Sequence, residues 1–153
     1  MLNPSFNKKI QAIIKKLNFP VYVVVLDKHY KCTCVDMNNQ PDASCPKCLG
    51  TGYKIKIRKT VAAMEPDDVS VRLNGTSDKI ASNCYYFDAS TVPSDVPQTD
   101  NLVIRDDEVD VLLSPKLYRS DSNKVIYYYC EAVDKKANRE LFLKNFRKLV
   151  TRR

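Results

Sequence analysis

Residues 21–58 read VYVVVLDKHYKCTCVDMNNQPDASCPKCLGTGYKIKIR, two strand patterns with a cysteine-rich excursion between them. Val21 to Leu26 is an unbroken apolar run rich in β-branched side chains, which fits a buried strand. Tyr53, Ile55 and Ile57 alternate with Lys54, Lys56 and Arg58, the period-2 signature of a half-buried strand. Between them, residues 32–52 form a turn-rich insert. From Leu26 to Tyr53 the apolar side chains are only Tyr30, Val35, Met37, Ala43 and Leu49. A loop this long cannot order itself by burial, so a cross-link has to supply the missing stabilisation.

Cys32, Cys34, Cys45 and Cys48 offer that cross-link in the pattern C-x-C-x10-C-x2-C. A tetrahedral zinc ion needs four converging ligands, with sulfur at about 2.3 Å. A C-x2-C turn aims two thiolates at one point, and Pro46 stiffens it. Gly50 and Gly52, two of the chain's three glycines, supply backbone freedom where the chain leaves the turn. The spacing therefore predicts a structural zinc on the four cysteines. Other readings compete. Two disulfides would need an oxidising compartment, which nothing here indicates. A redox dithiol at Cys45 and Cys48 lacks a surrounding βαβ pattern. His29, three residues before Cys32, can stand in for Cys34 as a ligand. A catalytic zinc is disfavoured because four thiolates leave no open position.

Working outward, Phe6, Ile10, Ile13, Ile14 and Leu17 form one apolar face of a helix over residues 5–18. Asn3 or Ser5 can cap it, Pro4 suits its first turn, and Pro20 stops it. Beyond the insert, Val69–Leu73, Tyr85–Phe87, Leu102–Ile104, Val109–Leu113 and Val125–Cys130 read as short strands. Asn74-Gly75 is a strong turn pair, and Ser90–Asn101, with Pro93 and Pro97, is a loop. Phe142, Phe146, Leu149 and Val150 stripe a last helix over 135–150, with Asp134 as its cap. The expected fold is mainly β (α+β): a small antiparallel β-barrel or sandwich with an inserted zinc loop and flanking N- and C-terminal helices. Its parts are residues 1–31 (helix and strand), 32–52 (zinc loop), 53–133 (barrel or sandwich) and 134–153 (basic helix).

The chain has 153 residues, 44% of them hydrophobic, which suits one domain with a packed core. Six apolar residues cannot span a bilayer, and the lysine-dotted N-terminus does not read as a secretory signal. A single histidine, His29, leaves little for Ser-His-Asp or Cys-His chemistry, and no Gly-rich phosphate cradle is present. The net charge of +7 is segmented. Residues 1–63 carry 11 basic and 3 acidic groups, residues 64–110 carry 3 and 11, and residues 135–153 carry 8 and 1. Basic ends around an acidic middle fit nucleic-acid contact, head-to-tail subunit association or ordinary solvated helix faces.

Weaker candidates have plainer readings. Asp106, Asp107, Glu108 and Asp110 lack EF-hand spacing and read as a solvated turn. Tyr127, Tyr128 and Tyr129 read as strand packing before base stacking, and Cys84 and Cys130 as small core residues. Tyr53 beside Lys54, Lys56 and Arg58 is the better nucleic-acid candidate.

The segment CPKCLGTGY, Cys45 to Tyr53, resembles a half-repeat of the J-protein zinc domain, CxxCxGxG. That family has four such repeats and this chain has one, which argues against a chaperone of that kind. The combination is more similar to small virion proteins of tailed bacteriophages, the head-closure or neck (head–tail connector) class. Some of these carry a CPxCxGTGY zinc loop ahead of a compact β-barrel. The stretch NLVIRDDEVDVL, Asn101 to Leu112, also resembles the strand–acidic turn–strand with which that class sets out an interface. The resemblance implies a non-enzymatic structural protein of the virion, assembled in the host cytoplasm. It implies a homo-oligomeric ring at the head–tail junction, with portal, connector and tail components as partners. Non-specific contact with packaged DNA is implied, and no membrane. The alternative is a nucleic-acid-binding zinc-ribbon protein, which would bind DNA or RNA tightly as an isolated chain.

Overall fold

The apolar run Val21–Leu26 lies inside a much longer strand. In a computed structural model describing residues 4–66, 70–73, 76–79, 83–120 and 122–151, helix α1 is Pro4–Leu17 and strand β1 is Phe19–Lys31. There follow β2 (Tyr53–Pro66), β3 (Ser70–Leu73), β4 (Thr76–Lys79), β5 (Asn83–Asp88), β6 (Leu102–Arg105), β7 (Glu108–Leu112), β8 (Lys116–Arg119) and β9 (Val125–Asp134). Helix α2, Arg139–Thr151, comes last. The fold is the expected one in class: mainly antiparallel β, with a helix at each end. Asn3 and the Asn74-Gly75 turn lie outside the described residues.

Seven strands form one sheet in the order β5-β2-β1-β6-β7-β9-β8, and β5 also pairs with β9. The pairings therefore return on themselves from β9 to β5. β3 and β4 make a separate hairpin. β1 runs against β2 from Phe19 opposite Ala62 to Asp27 opposite Lys54, and against β6 from Tyr22 opposite Ile104 to Val24 opposite Leu102.

Alternation along β1 explains why its apolar run is unbroken. Val21, Val23 and Val25 enter one core cluster with Tyr85, Phe87 and Val103. Val92 and Val96, from the loop after β5, complete that inner core. Tyr22, Val24 and Leu26 face the other way, onto Phe142, Leu143 and Phe146 of α2. Both faces of the strand are covered, so neither can be polar. Each fully buried Val or Phe contributes about 1.5–3 kcal/mol relative to exposure. The rings of Tyr22 and Phe146 meet edge-on at 5.5 Å.

Helix α1 covers a third cluster, where Ile14 packs with Ala63, Ile126 and Tyr127, and Ile10 joins from the edge. The expected apolar face is only partly used: Ile13 is 52% exposed and Leu17 63%. A buried carboxylate explains the rotation. Asp88 is 2% exposed, and Gln11 Nε2 donates to its Oδ1 at 2.9 Å while Lys15 Nζ stands 3.7 Å from its Oδ2. Turning Gln11 and Lys15 toward the sheet satisfies Asp88 and turns Ile13 and Leu17 away.

The start of α2 is a second correction. Asp134 is not its cap. It ends β9 opposite Asp110, and the next N–H, of Lys135, donates to the Val109 carbonyl at 2.8 Å. The strand ladder thus holds the chain extended, and the helix begins only at Arg139. Its first-turn bond runs from the Phe142 N–H to the carbonyl of Asn138, a residue at φ +56°.

Candidate metal centre

The cysteine insert occupies the tip of the β1–β2 hairpin. The Cys32 N–H donates to the Gly52 carbonyl at 2.9 Å and closes the neck of the loop. Asp36 organises one arm, its Oδ1 accepting the N–H groups of Asn38 and Gln40 at 2.9 Å. Asp42 organises the other, accepting the Ser44 N–H at 2.9 Å and its hydroxyl at 2.7 Å. Side-chain oxygens thus do locally what an apolar core does elsewhere.

The C-x2-C turn requires its glycines. Leu49, Gly50 and Gly52 have φ of +56°, +82° and +83°. A Cβ on Gly50 would stand 3.3 Å from the Ala43 backbone, and one on Gly52 would stand 3.2 Å from the Pro41 side chain. Both glycines let the two arms of the loop close on each other. Leu49 adopts the same left-handed conformation at a cost, which its burial offsets: it is 2% exposed, packed in the α2 cluster. Asn145 of α2 adds a polar tie, its Nδ2 donating to the Ser44 carbonyl at 3.3 Å.

This framework brings together the four cysteines that the spacing singled out. The sulfurs of Cys32, Cys34, Cys45 and Cys48 lie within 4.8 Å of one another and could hold a metal ion. The Cys32–Cys45 and Cys34–Cys48 sulfur distances are 3.8 and 3.5 Å. A tetrahedron with metal–sulfur bonds of about 2.3 Å has edges of about 3.8 Å, so the donors fit such an ion. A disulfide would need about 2.05 Å, and none joins Cys32, Cys34, Cys45 or Cys48 here. His29 is not part of the cluster.

Electrostatics within the cluster are uneven. Burial pushes Cys45 up, but the N–H groups of Cys48 and Lys47 bond its sulfur and bring it down to about 7. Burial dominates at Cys48 and raises it to about 12, against N–H groups from Gly52 and Gly50. Amides aimed at sulfur suit thiolates that share a cation's charge.

The other candidates resolve differently. Of the acidic stretch, Asp106 and Asp107 form the turn between β6 and β7, Asp107 pairs with Arg147, and Glu108 stands 3.8 Å from Arg139. Asp110 is buried and takes the Tyr85 hydroxyl, Asn83 Nδ2 at 3.0 Å and Arg105 Nη2 at 3.4 Å. The carboxylates of Asp107, Glu108 and Asp110 are thus used within the fold. Tyr127 is buried and stacks on Tyr118 at 4.6 Å, and Tyr129 tilts on Tyr86 at 5.1 Å. Cys130 is fully buried, and Cys84, also buried, contacts the Tyr129 hydroxyl at 3.0 Å.

Lys54 and Lys56, singled out by the sequence, line a cleft that the sequence reading did not indicate. Val25 to His29 of β1, Lys54 to Lys56 of β2 and Asp95, Gln98 and Thr99 of the inner loop line an open cleft of about 620 Å³. The signal was the run Lys28-His29-Tyr30, which interrupts the apolar pattern while the strand continues. Among the described residues, no helix is long and apolar enough to cross a membrane. No protein-family model matches the chain, and no curated protein matches it in sequence.

Proposed function

We propose that this chain is a non-enzymatic structural subunit of a tailed-phage particle, placed at the head–tail connector and assembling there as a ring with a structural zinc. The observation that carries this reading is the four-sulfur cluster of the CPKCLGTGY loop, set at the tip of a hairpin and tied to α2 through Leu49 and Asn145. Zinc suits a site of four thiolates with no open position, and such a site is architectural. It makes a rigid projection from a loop that has little core of its own.

Two further observations support an assembling subunit. Ile13, Leu17, Met37 and Leu117 are large apolar side chains left 46–101% exposed, on α1, the cysteine loop and the edge strand β8. Ile13 and Leu17, at i and i+4, share one exposed face of α1, which a neighbouring copy would cover. The basic α2 and the acidic turn at Asp106–Glu108 supply both signs of charge, although Arg147 and Arg139 already engage part of that turn within one chain.

Electron microscopy of particles, with metal analysis of the purified chain, tests the reading. A ring of this fold in the neck, and one zinc per chain, is expected. A chain that is absent from particles, stays monomeric with portal and tail components, and binds nucleic acid tightly on its own would replace it with the zinc-ribbon alternative.

A further inference from the structure

We infer that the cleft at the base of the cysteine loop is a binding site for the phosphodiester backbone of nucleic acid, with Lys54 and Lys56 as its phosphate contacts and Tyr30 as its flanking ring. The inference gives nucleic-acid contact a definite location, which the connector reading leaves open, and it stands without that reading.

The first ground is a break in the strand register. Asp27 pairs with Lys54 and Lys31 with Tyr53, so Lys28, His29 and Tyr30 have no opposite residues in β2. A bulge of this kind re-aims side chains, and here Lys28 and His29 line the cleft while Tyr30 stands beside Lys54. All three residues are exposed, Tyr30 at 61%.

The second ground is charge. In register, Lys54 and Lys56 share a face with Asp27 and Val25, the face that turns toward the cleft. Of the two carboxylates that line it, Asp95 is paired through Oδ2 with Arg58 Nη2 at 2.8 Å, its Oδ1 buried without a partner, and Asp27, whose Oδ1 accepts the His29 N–H at 3.2 Å, keeps its charge against the three lining lysines Lys28, Lys54 and Lys56. Lys28 pairs with Asp100 at 2.8 Å. Among the described residues, Lys54 and Lys56 form no ion pair. Lys54 Nζ instead lies 5.6 Å from the centre of the Tyr30 ring. Two lysines without ion pairs, Lys54 of them beside an exposed ring, are the elements of a backbone-tracking site, in which phosphates meet the cations and a base can stack. The cleft volume lies in the range of ligand sites, about 300–1,000 Å³.

Fluorescence anisotropy of the full-length, metal-loaded chain with labelled duplex and single-stranded oligonucleotides over a salt series tests this. Two lost phosphate contacts lower the log–log salt slope by about 1.8 on duplex, or about 60-fold in affinity at 0.1 M salt. Lys54→Ala/Lys56→Ala should show that change with an unaltered melting temperature, since both side chains are exposed. Lys144→Ala/Lys148→Ala on α2 should not. Tyr30→Ala distinguishes the two sources: loss confined to single strands marks base stacking on the ring, whereas retention on both forms marks phosphate contact alone and overturns the role given to Tyr30. Absence of binding by the parent chain at low salt, an unchanged slope in the β2 variant, or loss that follows the α2 variant instead would overturn the inference.

Discussion

The Asn101 side-chain oxygen accepts the Leu26 backbone N–H at 3.0 Å. The same carboxamide donates to the carbonyls of Asp95 and Val96 at 2.8 and 2.9 Å. One residue, 1% exposed, thus fastens the inner loop to β1 at the point where the strand leaves the core. Asn101→Leu keeps the branching of the side chain but adds bulk and strands three backbone groups, one of them fully buried, and should cost about 2–4 kcal/mol. Urea unfolding should show the loss as a lower midpoint at unchanged slope.

Arg147 pairs with Asp107 across the β6–β7 turn, and both side chains are more than half exposed. Solvent-exposed pairs contribute about 0.2–1 kcal/mol. Arg147→Glu should therefore lower the melting temperature by only a few degrees. Adding Asp107→Arg should recover most of that loss. A large drop in the single variant would mean that this face is packed and not simply paired.

Acid should loosen α1 before it unfolds the sheet. Burial pushes Asp88 up, but donation by Gln11 and by the N–H and hydroxyl of Ser90, with Lys15 nearby, brings it below the ordinary carboxylate value. A depressed folded value means that the group's stabilisation is present above the unfolded value, about 3.9, and is lost as pH falls through the folded one. Melting temperature should decline below about pH 4. Asp88→Asn should flatten that acid limb and weaken the protein at neutral pH. Hydrogen exchange at residues 8–17 should report the change first.

Legibility in the sequence followed how much of a signal each element needs for itself. Val21–Leu26 announced a strand buried on both faces, and the stripe at Phe142 and Phe146 announced the covering helix. The four cysteines were legible because ligand spacing is a local property. What depended on partners was not. β8, Lys-Leu-Tyr-Arg, is an edge strand held by β9 and carries little apolar pattern. The start of α2 slid from Asp134 to Arg139 because pairing with β7 prolonged β9. Ile13 and Leu17 were assigned inward by periodicity, but a buried carboxylate on the sheet chose Gln11 and Lys15 instead. The bulge at Lys28–Tyr30 follows from unequal strand lengths between fixed pairs, so the polar run there marks a change in the strand but not the register break itself.

If the four sulfurs hold the proposed ion, Cys48→Ser should abolish metal binding and disorder the loop without unfolding the sheet. The loop rests on two supports. One is the sulfur cluster, and the other is Leu49, which reaches the α2 core. Cys48 is 1% exposed and its free thiol is held up at about 12, so without a cation it stays a buried neutral group. Metal binding must displace that proton, and affinity should therefore strengthen as pH rises. A serine hydroxyl is a much poorer ligand than thiolate, so the variant should contain well under one metal ion per chain by native mass spectrometry. Chelation of the parent chain should act the same way, with amide protection lost over 32–52 and kept in β5, β6 and β9. Full metal content in Cys48→Ser would show that the remaining sulfurs suffice. Collapse of the whole sheet would show that the loop is an integral part of the core.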